Sequence, residues 1–181
     1  MTARYFAGDF HLGDPSIIKY RKQFKTVKEH DEFIADTILV KPRDHDILTI
    51  VGDGFIKPES LFILKKFPYK KHLIPGNHCM EKGVKVTDLA AFFDVVTGSF
   101  KWKSGFFVSH EPQHPNHLRG RINIHAHLHD KVIEDERYIG VSLEQTGYRL
   151  IHHDEILSGS YRTYRKPALE DHLHLGGPHG S

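Results

Sequence analysis

The chain has 181 residues, 39% of them hydrophobic and 27% charged, and a net charge of +2 with its histidines neutral. That is enough chain for one domain with a proper core, and the composition excludes disordered and fibrous classes. So small a positive charge also argues against a dedicated nucleic-acid binder.

No apolar run approaches the roughly 20 residues that span a bilayer. The start, "MTARYFAGDF", lacks the apolar stretch and cleavage pattern of a signal peptide. One cysteine, Cys79, excludes an internal disulfide and fits a reducing compartment, so a cytoplasmic protein is expected. The basic runs "KYRKQFKTVK" (19–28) and "KKFPYKK" (65–71) read as solvated faces rather than polyanion tracks. Sixteen histidines are about four times ordinary usage, so their placement becomes the question.

In chain order, "RYFAGD" (4–9) reads as a buried first strand. "TVKEHDEFIADTILV" (26–40) reads as a helix, with Thr26 and Glu29 forming a capping box. "ILTIVGDG" (47–54) is a second strand, "PESLFILKKF" (58–67) a helix opened by Pro58, and "KHLIPGNH" (71–78) a third strand. "KVTDLAAFF" (85–93) reads as a further helix. "DVVTGSFKWKSGFFVSHEP" (94–112) reads as a hairpin turning at Lys103-Ser104-Gly105. "RINIHAHLHD" (121–130) and "RYIGVSLE" (137–144) are later strands. This order predicts an α/β fold, mainly parallel in its first half, with antiparallel strands after it. The domain is expected over 1–165. "LEDHLHLGGPHGS" (169–181) reads as part of a tail (166–181) of the kind added for expression, so His172, His174 and His179 are set aside.

The informative feature is a recurrence: strands end in "GDFH", "GDG", "GNH", "SHEP" and "HAHLHD". In open α/β sheets ligands bind beyond the carboxyl ends of strands, so all five clusters can meet on one rim. Singly, Asp9 with His11, Asp53, Asn77 with His78, and His110 each have an ordinary reading as turn or core residues. The alternation of His125, His127 and His129 stands apart, because in an extended segment i, i+2 and i+4 side chains share a face. Together, two carboxylates, an amide and four imidazoles exceed one tetrahedral zinc site. Such a set suits two first-row divalent ions sharing a carboxylate.

The order Asp-x-His, Gly-Asp, Gly-Asn-His, His, then x-His-x-His resembles that of calcineurin-like metallophosphoesterases, in the small single-domain form of bacteria and phages. The resemblance spans residues 4 to 157 and includes "QFKTVKEHDEFI". It implies a four-layer αββα sandwich with two mixed β-sheets, of the metallo-dependent phosphatase type. It also implies that Asp9, His11 and His129 hold one metal, that Asn77, His110 and His127 hold a second, and that Asp53 bridges them. Manganese is the first expectation for both ions, with iron, zinc, nickel and cobalt as alternatives. Ala126 stands where the family has glycine, which makes His127 and His129 the ligands and His125 a supporting imidazole. The alternative frame takes His125 and His127, with Ile124 at the glycine position.

The chain departs from the family twice. "GDGFIKP" lacks the second acid of Gly-Asp-x-x-Asp, and Cys79 follows Asn77-His78 where an acid is usual. The implied activity is phosphoester hydrolysis, phosphodiesters foremost, by in-line attack of a hydroxide bridging the ions, with His78 as general acid. Monoesters and nucleotide pyrophosphates are alternative substrates, and a weakly active metal-binding module is the rival reading. Arg21, Arg119 and Arg121, in the stretches 12–26 and 112–121, are candidates for phosphate contact. The expected partner is a phosphoester, including nucleotides and short nucleic acid, with no membrane involved and a monomer or homodimer as the working form.

Overall fold

A computed structural model describes residues 2–103 and 105–163. Among the described residues, nine strands form two mixed sheets. The first has the order β4-β3-β2-β1-β9, from β1 (Arg4–Gly8), β2 (Ile47–Gly52), β3 (Lys70–Pro75), β4 (Val95–Val96) and β9 (Ile151–His152). The second has the order β5-β6-β7-β8, from β5 (Ser99–Trp102), β6 (Phe106–Ser109), β7 (Ile122–His125) and β8 (Tyr138–Gly140). The expected tail, 166–181, lies outside the described residues.

The central strands bury both faces, which is why they read as continuous apolar runs. Ala7, Leu48, Ile50 and Leu73 point to a core shared with Ile34, Ile38, Leu39, Leu61 and Leu64 of the helical layer. Their neighbours Phe6, Val51 and Ile74 point the other way, into a core shared with Trp102, Phe106, Val108, Ile124 and Ile139 of the second sheet. The sheets therefore pack face to face, with helices outside the first. On the outer face of the second sheet, Asn123 receives the backbone of Gln113 from the segment that carries the single turn α4 (Pro115–Leu118).

Strands β1, β2 and β3 are parallel, paired Gly8 to Val51 and Gly52 to Pro75, so their carboxyl ends lie level. Strands β6, β7 and β8 are parallel as well. This differs from the antiparallel second half expected from the sequence. Among the described residues, β5 and β6 form the expected hairpin, and Ser104 of its expected turn lies outside them. Val95 and Val96 pair with β3 instead of extending that hairpin.

The first expected helix changes character midway. α1 (Val27–Phe33) starts at Thr26, whose hydroxyl accepts from the Glu29 N–H, while the Glu29 carboxylate reaches the Lys25 N–H instead of closing a box on Thr26. From Ile34 to Leu39 the turns widen into a π-helix, and Tyr69 Oη donates to the Leu39 carbonyl at its end. The second expected helix is a 3-10 turn (Pro58–Ser60) leading into α2 (Leu61–Leu64), and the third shortens to α3 (Val86–Leu89). α5 (Leu143–Thr146) follows β8, and α6 (His153–Ser158) follows β9 and packs against β1. Among the described residues, no helix is long and apolar enough to cross a membrane.

Asp46 pins the start of the first sheet. Its carboxylate accepts from the N–H of Ala3 at 3.0 Å and of Arg43 at 2.9 Å. Burial alone raises its pKa, but those amides and the Arg43 guanidinium outweigh it and hold the group below the ordinary aspartate value. A carboxyl held low contributes stability that is present above pH about 4 and is lost as pH falls through its folded pKa. Asp46→Ala is expected to cost about 1–3 kcal/mol at pH 7, because the buried Ala3 amide and the Arg43 amide lose their acceptor. Urea denaturation from pH 7 to pH 2 should show the variant approaching the parent as pH falls.

Candidate metal centre

Each cluster picked out in the sequence sits just past the carboxyl end of a parallel strand: Asp9 after β1, Asp53 after β2, Asn77 and His78 after β3, His110 after β6, and His127 and His129 beyond β7. The two sheets are stitched together at this rim. Gly8 N–H donates to the Val141 carbonyl at 2.7 Å, and His127 N–H and Ser142 Oγ donate to Asp9 Oδ2 at 2.7 and 2.6 Å.

Asp9, Asp53 and His110 lie at the centre, 0%, 3% and 1% exposed, with one donor atom of each within 4.8 Å of the others. Each carboxylate is tied to the scaffold, and the Asp53 N–H also donates to Asp9 Oδ1 at 3.3 Å. Asp9 uses Oδ2, as above, and Asp53 Oδ1 accepts from the His78 N–H at 2.8 Å. Asp9 Oδ1 and Asp53 Oδ2 also face imidazoles. Asp9 Oδ1 is 3.7 Å from His110 Nδ1, and Asp53 Oδ2 is 3.7 Å from His110 Nε2 and 4.0 Å from His11 Nε2. His110 Nε2 also lies 3.0 Å from both Asn77 Oδ1 and His127 Nδ1. The His11 and His129 rings are 5.2 Å apart, and those of His11 and His78 are 5.9 Å apart. Asn77 and His127 are exposed, so the cluster opens to solvent on their side.

Three features fit this set to cations. His11 Nε2 and His110 Nδ1 are buried without a hydrogen-bond partner among the described residues, which costs free energy unless something else meets them. Glycines leave the space: a Cβ at Gly52 would lie 2.0 Å from His110 Nδ1, and one at Gly76 would lie 2.2 Å from Asp53 Oδ1. The backbone is also strained. Asp9, His11, His127 and His129 have φ of 55°, 52°, 69° and 52°, a region costing non-glycine residues about 1–3 kcal/mol each and concentrated at functional sites.

These dihedrals overturn the extended reading of 125–129. β7 stops at His125, and the chain then turns so that His127 and His129 reach the rim separately. His125 is buried with its ring edge on Tyr138, and its Nδ1 meets the Ala126 carbonyl. It hydrogen-bonds to none of the seven donors among the described residues, and burial lowers its pKa. Arg21 departs further from expectation. Expected at the surface to contact phosphate, it is 1% exposed, with its guanidinium engaged by Asp9 O, Phe10 O, His30 and Glu144. Arg119 is exposed at the end of α4, and Arg121 donates to the Leu118 carbonyl.

Four supporting residues were not singled out in the sequence. Asp14 Oδ2 meets His11 Nδ1 at 3.2 Å, which turns Nε2 toward Asp53. Ser142 holds Asp9, as described. Glu144 Oε1 meets His129 Nδ1 at 3.2 Å. Burial alone raises the Glu144 pKa, but His129 and Arg21 bring it down to about 2, and the same contact raises that of His129. Glu81 Oε1 lies 3.0 Å from His78 Nδ1 and raises the histidine's pKa. Glu81 thus offers, three residues on, the carboxylate that is missing at position 79. The signal for Glu81 was that i+3 spacing, and for Ser142 and Glu144 it was their place just past another strand end. Cys79 is buried, its thiol donating to the Gly52 carbonyl at 3.6 Å, and burial pushes its pKa up to about 11. It is a packed thiol rather than a reactive one.

No protein-family model and no curated protein matches the chain. Among solved structures it is similar to a protein of unknown function from Aquifex aeolicus, with 23% identity and a TM-score of 0.68, covering 87% of this chain and 99% of that one. It is more distantly similar to nuclease MPE from Pseudomonas putida, with 23% identity and a TM-score of 0.47 over 70% of this chain and 60% of the other. The likeness to the Aquifex protein bears on the fold alone.

Gly52 has φ +93°, so a side chain there is strained as well as crowded against His110. Gly52→Ala is expected to lose about 1–3 kcal/mol, a drop of several degrees in thermal midpoint by calorimetry. Gly98→Ala, with nothing within 4 Å of its Cβ, should leave the midpoint within a degree or so, the control for a mere change of glycine.

Proposed function

We propose that this chain is a phosphoester hydrolase working with two divalent cations, manganese foremost, and that phosphodiesters are its substrates. The observation that carries the reading is the position of Asp53 Oδ2, 4.0 Å from His11 Nε2 and 3.7 Å from His110 Nε2. That oxygen stands between two sets of donors, and each of those histidines keeps a buried nitrogen unpaired. In this reading Asp9, His11 and His129 hold one ion, Asn77, His110 and His127 the other, and Asp53 both. The oxygen and nitrogen donors suit first-row divalent ions. The paired sheets with helices outside the first support reading the architecture as the αββα sandwich, its fourth layer reduced to α4 over Asn123.

When bound, the ions would supply positive charge against the phosphoryl oxygens and lower the pKa of a water between them. The chain does the rest. Asp9 and Asp53 are held by Ser142 Oγ and by the His127, His78 and Asp53 amides, so the oxygens facing the centre, Asp9 Oδ1 and Asp53 Oδ2, stay aimed without reorganising. His78 is half-buried beside the opening. Its Nδ1 faces Glu81 and its other nitrogen is left to a leaving group. Glu81 favours the charged imidazole, the form able to give a proton to a departing alkoxide.

The test is hydrolysis of bis-nitrophenyl phosphate by manganese-loaded protein, beside monoesters, cyclic diesters and dinucleoside polyphosphates. Diester turnover abolished by chelator and restored by manganese is expected. Bound metal without turnover would leave a binding module, and a preference for monoesters or pyrophosphates would move the substrate class. For His78→Ala, the loss should reach 10²–10⁴-fold on an alkyl ester, the range of general acid catalysis. It should be much smaller on a nitrophenyl ester, whose leaving group needs no proton. Equal losses on both would remove His78 from that role.

A further inference from the structure

We propose that Arg21 and Glu144, backed by His30 and Asp31, are positioning residues for the Asp9, His11 and His129 part of the centre. The inference rests on the two-cation reading above. Arg21 is a buried guanidinium with a partner on every nitrogen. Nε donates to Glu144 Oε1 at 2.8 Å, Nη2 to the Asp9 carbonyl at 2.5 Å, and Nη1 to the Phe10 carbonyl at 3.1 Å. Nη1 also lies 2.8 Å from His30 Nε2. A guanidinium only donates, so His30 accepts there and carries its proton on Nδ1, 2.9 Å from Asp31 Oδ1. Asp31 Oδ2 in turn accepts from the Gly13 N–H at 2.9 Å.

The network therefore grips the Asp9–Gly13 turn at both ends. The carbonyls that Arg21 holds belong to the stretch where Asp9 and His11 take left-handed backbone. Relaxing that backbone would strip a buried cation of its acceptors. The other arm reaches His129. Glu144 Oε1 accepts from Arg21 and also faces His129 Nδ1 at 3.2 Å, so Nδ1 carries the proton and Nε2 is left for a cation. An imidazole ligand is commonly oriented by a carboxylate on its other nitrogen, and removing such a carboxylate costs 10–100-fold in metal affinity. Glu144 Oε2 is buried with no partner among the described residues, so Oε1 alone ties these two groups together. The side chains of Asn77, His110 and His127 make no hydrogen bond to Arg21, Glu144, His30 or Asp31 among the described residues, and the second donor set meets the network only through the His127 amide on Asp9.

If the ion pair were merely structural, breaking it would lower stability and weaken both metal sites together. Calorimetric titration of the full chain with Mn²⁺ separates the two cases. Wild type is expected to show two sites. Glu144→Ala is expected to weaken one by 10–100-fold and leave the other within threefold, with the electron paramagnetic resonance signal passing from a spin-coupled pair to a single ion. Arg21→Lys keeps the charge but cannot span Glu144 and both carbonyls, so a smaller loss at the same site is expected. Glu144→Gln serves if the alanine variant does not fold, with a reduced but equally selective loss. Unchanged affinity at both sites, or parallel loss at both tracking the metal-free thermal midpoint, would overturn the positioning role alone. A wild-type chain that takes no manganese would overturn the two-cation reading and this inference with it.

Discussion

Two carboxylates buried side by side, Asp9 and Asp53, are the constraint around which the rim is organised. An ionised carboxylate out of water is costly unless it is paired or hydrogen-bonded, and here the buried Arg21 spends its donors on carbonyls, Glu144 and His30. What meets the two acids instead is a ring of imidazoles and backbone amides. The level strand ends, the glycines at 52 and 76, and the left-handed turns at 9, 11, 127 and 129 all keep that arrangement open yet enclosed. A side chain in any of these gaps would have to push a donor aside.

Gly8 and Ala126 illustrate how tightly the two halves are fitted. A Cβ on Gly8 would fall 2.2 Å from the Val51 carbonyl and 2.6 Å from the Ala126 methyl. The alanine standing at the glycine position of the resembled motif is accommodated because its neighbour across the seam is itself a glycine. The departure is local and compensated, and His127 and His129 still follow it onto the rim.

The strands and the polar residues that end them were legible because both follow from short-range rules, an apolar run stopping at a turn residue. The parallel course of β6 to β8 was not legible, since short strands separated by loops carry no mark of direction. The histidine run misled for a related reason: alternation at 125–129 has the period of a strand, but the chain turns after His125 and gives its His127 N–H to Asp9, more than a hundred residues earlier. Arg21 lay in a run of basic residues that looked like solvated surface, and nothing local distinguishes a guanidinium destined for the interior. Glu144 lay past a strand end, the same signal that marked the others, but without a histidine or aspartate beside it to draw notice.

The seam has a thermodynamic meaning. Ser142 reaches Asp9 across 133 residues and His127 reaches it across 118. No segment of the chain holds the cluster by itself, and closing such long loops is entropically expensive. The rim is complete only when both sheets are formed and docked, and it comes apart when they separate. Any ion bound there reports on the whole protein being folded, and by mass action it steadies the native state as a unit.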